Sequence, residues 1–175
     1  MKYRNATDQA GMVLIVSLLI LITLTILGLT AMRTSRTEMS MAGNQRELGI
    51  TFSAAEAGLG SAQTYIDNSI STTIYNDPSQ GLYDLPDLDP DYRNLTTWDD
   101  SQTAAIGLPY VVEQPKFIIK YLGDRSQNEV AVVNIGGYGS SQPGKTVSNF
   151  RITTRAVGQT GRASRQLQAY YGKEF

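Results

Sequence analysis

Seven aspartates crowd one stretch, YNDPSQGLYDLPDLDPDYRNLTTWDDS: Asp77, then the acidic run Asp84, Asp87, Asp89, Asp91, Asp99 and Asp100. Their oxygens are hard ligands of the kind calcium takes. Asp87, Asp89 and Asp91 have the alternate spacing that opens an EF-hand loop, but Tyr92 stands where the turn glycine belongs and Trp98 where the bidentate glutamate belongs. The residues leave two readings open, a calcium site or a solvated acidic loop. The same aspartates are the only candidates for an acid/base pair. The chain has no histidine and no cysteine, which removes His-based triads, imidazole bases, His-containing zinc sites, disulfides and thiol chemistry. The expectation is a protein that is not an enzyme and needs no cofactor, calcium apart.

The formal net charge of −1 over 175 residues gives no basic footprint for nucleic acid. Beyond one apolar segment, the length suits one modest domain.

That segment is QAGMVLIVSLLILITLTILGLTAMR, Gln9 to Arg33, with no charge between Met12 and Met32. At 1.5 Å per residue it is long enough to cross a hydrocarbon core of roughly 30 Å. It exceeds the apolar core of about 7 to 15 residues in a cleaved secretory signal, and no A-x-A-like site follows it. The segment is therefore expected to be kept, with any processing on its amino-terminal side. Charge orients it poorly, because Lys2 and Arg4 precede it while Arg33 and Arg36 follow.

Helix-forming sequence continues past the span. Leu48, Phe52, Ala55, Leu59, Ala62 and Ile66 step by fours and threes, a stripe expected to pack on a folded domain. No proline occurs before Pro78, so one helix from Met12 to about Asn68 is allowed, roughly 85 Å at the standard rise. Glycines 28, 43, 49, 58 and 60 each weaken it by about 1 kcal/mol relative to alanine.

Between Ser69 and Pro109 the periodicity stops, and turn residues mark a long loop. Its Tyr75, Tyr83, Tyr92 and Trp98 either pin it to the domain or face a partner. PYVVE, KFIIKYL, NEVAVVNIGGYG, VSNFRITTRAVG and SRQLQAYYG read as strands, separated by turns such as GDRSQN and SSQPGK. In the fourth, Phe150, Ile152, Thr154 and Ala156 share one face, and Arg151, Thr153 and Arg155 the other. The expectation is an α+β fold, a long helix packed on a half-buried antiparallel sheet.

The short polar leader with Lys2 and Arg4, ending at Gly11, resembles those of type IV prepilins and of type II secretion pseudopilins. Met32-Arg33-Thr34, Met41-Ala42-Gly43-Asn44 and Ala54-Ala55-Glu56-Ala57 resemble the corresponding segments of PilX-type minor pilins. The likeness covers roughly Ala10 to Ala62 and resumes in Arg-Ile-Thr-Thr-Arg-Ala-Val-Gly and Leu-Gln-Ala-Tyr-Tyr near the end.

The resemblance implies a type IV pilin-like fold: a leader at 1–11, a membrane and filament-core helix at 12–32, an amphipathic helix at 33–68, an αβ-loop at 69–109 and a sheet at 110–175. It implies cleavage by a prepilin peptidase after Gly11 and N-methylation of Met12. The protein would be held single-pass in the inner membrane, with its carboxy-terminal domain in the periplasm, before moving to the pilus. Its implied partners are other minor pilins, the major pilin, the inner-membrane assembly platform and a PilY-type adhesin, with roles in adhesion and twitching motility. Major pilins usually carry glutamate at the fifth mature position, and here that position is Val16. An unpaired charge in hydrocarbon costs about 2.5 to 3.5 kcal/mol, so its loss eases insertion and removes the partner of a neighbouring amine. With the absence of cysteine, this points to a low-copy subunit that primes assembly at or near the tip. Small residues such as Gly28 and Ala31 would let helices approach closely in the filament. The alternatives are a tip pseudopilin of type II secretion and a membrane-anchored periplasmic enzyme.

Overall fold

A computed structural model of the chain describes residues 7–126 and 146–175, with side chains for 11–125 and 146–175. The expected strand NEVAVVNIGGYG and turn SSQPGK lie outside the described residues, as does the start of the leader. Two compact units emerge, Met1–Gln45 and Arg46–Phe175.

The first unit is the amino-terminal part of helix α1, which runs Thr7–Asn68. From Gly11 to Arg46 every described side chain is exposed. Its hydroxyls are turned back onto the helix: Ser17 donates to the Leu14 carbonyl at 2.9 Å, Thr23 to Ile20 at 2.8 Å, Thr30 to Ile26 at 2.7 Å, and Thr25 to Leu21. Serine and threonine thereby satisfy themselves without water, which makes the segment compatible with lipid.

In the second unit, the rest of α1 lies on a five-stranded sheet. Three long strands form its body: β3 (Lys116–Ser126), β4 (Thr146–Val157) and β5 (Ser164–Lys173), joined antiparallel in that order. Two-residue strands from the loop share the other edge of β3. β1 (Leu82–Tyr83) pairs parallel with Ile119 and Lys120, and β2 (Gln102–Thr103) pairs antiparallel with Lys116 and Phe117. The expected purely antiparallel sheet is therefore mixed at this edge. The two additions cover part of an otherwise open strand edge.

Helix and sheet meet over small residues in one half and large ones in the other. Ala54, Ala55 and Ala156 form one cluster, with Leu108, Val111 and Leu167 packed against it. Ala62 and Ile66 join Tyr75, Leu82, Ala104, Phe117, Ile119, Phe150 and Ile152 in the second. The β4 face of Phe150, Ile152, Thr154 and Ala156 is buried towards the helix, and the Thr154 hydroxyl donates to the Ala55 carbonyl at 3.1 Å.

Several local expectations are corrected. PYVVE forms turns, not a strand: prolines 109 and 115 bracket it, and the Gln114 amide bonds both the Leu108 N–H and its carbonyl. Gly123 to Ser126 continue β3, because Gly123, at φ 96°, absorbs a bulge that would otherwise end the strand. The opposite face of the sheet is not left to solvent, since Ile118, Lys120 and Thr153 are also buried.

The 69–109 segment is built from short turns; its Asp87–Tyr92 part reaches that face, while Tyr75, Leu82 and Ala104 join the helix-side cluster. One-turn 3-10 helices occur at Thr72–Ile74, Pro78–Gln80 and Leu95–Trp98. Gly81, at φ 71°, turns the chain into β1 so close to Ser101 that a Cβ would stand 2.9 Å from its Cα.

Candidate functional site

The expected processing junction and the fifth mature position sit on the bare part of α1. Gly11, Met12 and Val16 are all exposed, and nothing lies within 4 Å of the place where a Cβ on Gly11 would stand. By length and composition, α1 is the one helix among the described residues able to cross a membrane.

The expected packing stripe is rotated from the actual seam. Ala55, Ala62 and Ile66 are fully buried and Leu59 packs at the edge, but Leu48 is 38% exposed and Phe52 44%. The seam runs instead through Thr51, Ala54, Ala55, Gly58, Ala62 and Ile66. At 100° per residue its centre lies roughly 60° from the stripe's. The cause is close approach. A Cβ on Gly58 would come 3.0 Å from the Pro115 Cβ, and one on Gly158 would come 2.7 Å from the Thr51 hydroxyl. Small side chains define this contact, and a reading weighted by large apolar residues misses it.

Each end of the seam is tied by polar groups. The Glu47 carboxylate accepts from the Thr160 N–H at 3.0 Å and from the Thr160 hydroxyl, which hold its pKa below the usual value. At the other end the last turn of α1 carries no basic residue of its own. Lys173 of β5 supplies the charge, donating to the carbonyls of Ile66 at 2.8 Å, Asp67 at 2.9 Å and Ser69 at 2.5 Å. Beside it the Tyr171 hydroxyl donates to Asp67 at 2.7 Å, and Ser69 and Tyr75 share a hydrogen bond of 2.8 Å. Burial, against a smaller effect of that bond, pushes the Tyr75 phenol up to about 12.

The aspartate loop closes over the other face of the sheet. Lys120 and Arg151 are register partners on β3 and β4. One oxygen of Asp89 lies 2.8 Å from the Lys120 ammonium and 2.5 Å from the Arg151 guanidinium. Hydrogen bonds from Arg151, then Lys120, hold the Asp89 carboxyl below its ordinary pKa. Lys120 also donates to the Asp87 carbonyl at 2.6 Å, and the Arg151 guanidinium lies 5.9 Å from the Tyr92 ring centre. The Tyr92 carbonyl accepts from the Trp98 indole at 3.0 Å and from Gln166 of β5 at 2.7 Å.

The three candidate calcium ligands are thus separately engaged. Asp87 accepts from the Asp84 N–H at 2.7 Å, Asp89 holds the two cations, and Asp91 accepts from the Arg93 N–H at 3.0 Å. Among the described residues no three acidic side chains converge as a metal cage. What the loop can do chemically is clasp the sheet. Of its aromatic residues, Trp98 and Tyr75 are fully buried, so they pin it.

Lys120, Arg151, Glu47 and Lys173 were not among the sequence candidates. Two cations inside alternating strands, beside a loop of seven aspartates, were the available signal for the first pair. Only strand register makes them neighbours.

A bare apolar helix continuing into a helix seated on a small sheet, with a long αβ-loop, defines an α+β fold of the type IV pilin class. Two family models match the chain: PilX N-terminal over residues 10–59, and Type IV pilus assembly protein PilX C-term over residues 53–173. The chain belongs to the PilX family of type IV pilus assembly proteins, structural components of the pilus. No curated protein and no solved structure matches it significantly.

Proposed function

We propose that this chain is a minor pilin made as a prepilin, cut after Gly11, N-methylated on Met12 and held in the inner membrane by residues 12–32 with its domain in the periplasm. From there it enters the pilus as a low-copy subunit that primes assembly and sits at or near the tip. Its work is non-covalent. The observation that carries the reading is the exposed apolar helix from Met12 to Met32, uncharged throughout and with its hydroxyls turned inward. Such a surface needs lipid before assembly and other helices afterwards.

Val16 supports the tip position. A glutamate there would offer a buried carboxylate to a neighbouring amino terminus, whereas valine offers none. A subunit without that pairing fits the end of a filament better than its repeating body. The sheet and the clasped loop would then contact other minor pilins and a PilY-type adhesin, through which adhesion and twitching motility would depend on this chain.

The test is intact mass and amino-terminal sequencing of the protein from cells with and without the prepilin peptidase. A peptidase-dependent start at Met12 carrying one added methyl group supports the reading, and a start at Met1 in both strains defeats it. For the tip role, immunogold labelling of sheared pili should mark ends rather than shafts. Uniform labelling along the shaft would refute that position.

A further inference from the structure

The apolar span ends at Met32, and the next residues with long side chains are Arg33 and Arg36. They lie about 1.5 and 6 Å beyond Met32 along the helix axis, the depth at which a bilayer passes from hydrocarbon to headgroup. Arg33, Arg36, Thr37 and Ser40 share one open, exposed face of the helix. The two arginines and Ser40 fall within roughly 60° of one another around the helix. Thr37 spends its hydroxyl proton on the Arg33 carbonyl at 2.9 Å, while the Ser40 hydroxyl and both guanidinium groups have no partner among the described residues. Glu38, the nearest acidic residue in sequence, points about 140° away from Arg33.

We propose that Arg33, Arg36 and Ser40 bind the phosphate of an anionic phospholipid headgroup while the protein is in the membrane. Guanidinium forks match phosphate oxygens two at a time, and two forks one helical turn apart can hold one phosphate from both sides. The serine hydroxyl adds a third donor. The apolar helix below them supplies a surface for the acyl chains, which is what distinguishes a lipid from a free ion as the occupant. Arginines just beyond a span on the translocated side run against the usual charge bias. A headgroup partner gives them a reason to be there, and it fixes the depth of the helix. The leaflet rests on the orientation proposed above; the site does not.

The test uses the full chain in nanodiscs containing equal amounts of phosphatidylcholine and phosphatidylglycerol, with lipids that stay bound counted by native mass spectrometry. The wild-type protein should retain phosphatidylglycerol preferentially. The preference should fall about fivefold for each arginine removed, and on the order of twenty-five-fold in R33Q/R36Q. R33K/R36K should keep part of it, and R46Q, further along the helix, all of it. Equal retention of the two lipids by the wild type, or an unchanged preference in R33Q/R36Q, overturns the proposal. So does loss of the retained lipid on adding millimolar inorganic phosphate, which would mark an ion site instead. Retention is read whether or not the leader has been cut, so a failed processing experiment leaves this result standing.

Discussion

Two stretches of one helix treat apolar residues in opposite ways. Between Met12 and Met32 the large aliphatic side chains all point outward and none is buried. Between Arg46 and Asn68 the buried positions are mostly small, Thr51, Ala54, Ala55, Gly58 and Ala62, and Ile66 is the one large aliphatic among them. The first stretch stores its apolar surface for lipid and other helices. The second has already used its own, through close backbone approach to the sheet. Hydrophobicity alone therefore does not say which part of this helix is packed; side-chain size and the partner surface do.

The same truncation should separate the two most sharply. Ile66→Ala removes a fully buried side chain from the main cluster and should destabilise the domain by about 2 to 5 kcal/mol. Ile22→Ala, in the exposed span, should leave domain stability unchanged while shrinking the surface open to lipid. Chemical denaturation in detergent, followed by the fluorescence of the single tryptophan, Trp98, reads the domain alone. Equal effects would mean that the span is also part of the folded unit.

A smaller loss is expected at the lower end of the seam. Lys173→Met keeps the length of the side chain but removes the donor to three helix-terminal carbonyls. It should cost about 1 to 3 kcal/mol, the usual worth of hydrogen bonds to a charged group. Hydrogen exchange should show the loss in the amides near Ile66 before the rest of α1. An effect spread evenly over the helix would argue against a capping role.

On the outer face the clasp should weigh less and depend on pH. Asp89 is 57% exposed on its side chain, so Asp89→Asn should cost only about 1 kcal/mol in spite of its two short contacts. Its pKa is held below the ordinary 3.8, so the ionised form binds better in the folded state. The clasp's contribution is complete above pH 4, the region of the unfolded value, and fades as pH falls through the lower folded value. Asp124 and Glu47 are lowered too, so the informative quantity is wild type minus D89N. That difference should shrink as pH falls below the unfolded value, and a difference that stays constant there would count against the ion pair.

The fold class was legible because its signals are local. An uncharged apolar run, a helix without proline and β-branched segments each announce themselves within a dozen residues. The mixed edge was not, because β1 and β2 are two residues long and exist only where β3 offers hydrogen bonds. PYVVE misled because its strand-like composition is overruled by two prolines and a glutamine that bonds the local backbone. The aspartates were visible in the sequence, but the cations they meet were not. Asp89 meets Lys120 and Arg151 across 31 and 62 positions of sequence, a distance that composition cannot bridge.

The smallest expected effect on stability sharpens the comparison furthest. Leu48 and Phe52 belong to the stripe that sequence periodicity selects, yet they remain exposed beside a seam made of small residues. Phe52→Ser should change domain stability by no more than about 0.5 kcal/mol, as substitutions outside packed contacts do. If the outward stripe were merely tolerated apolar surface, piliation would be unaffected as well. If it extends into this stretch the outward-facing logic of residues 12–32, Phe52→Ser should reduce incorporation into pili while leaving the protein's folding and membrane level intact. Measuring the variant's amount in sheared pili and in membranes separates the two. A parallel fall in both fractions would instead return Phe52 to the packed core and restore the simple periodic stripe.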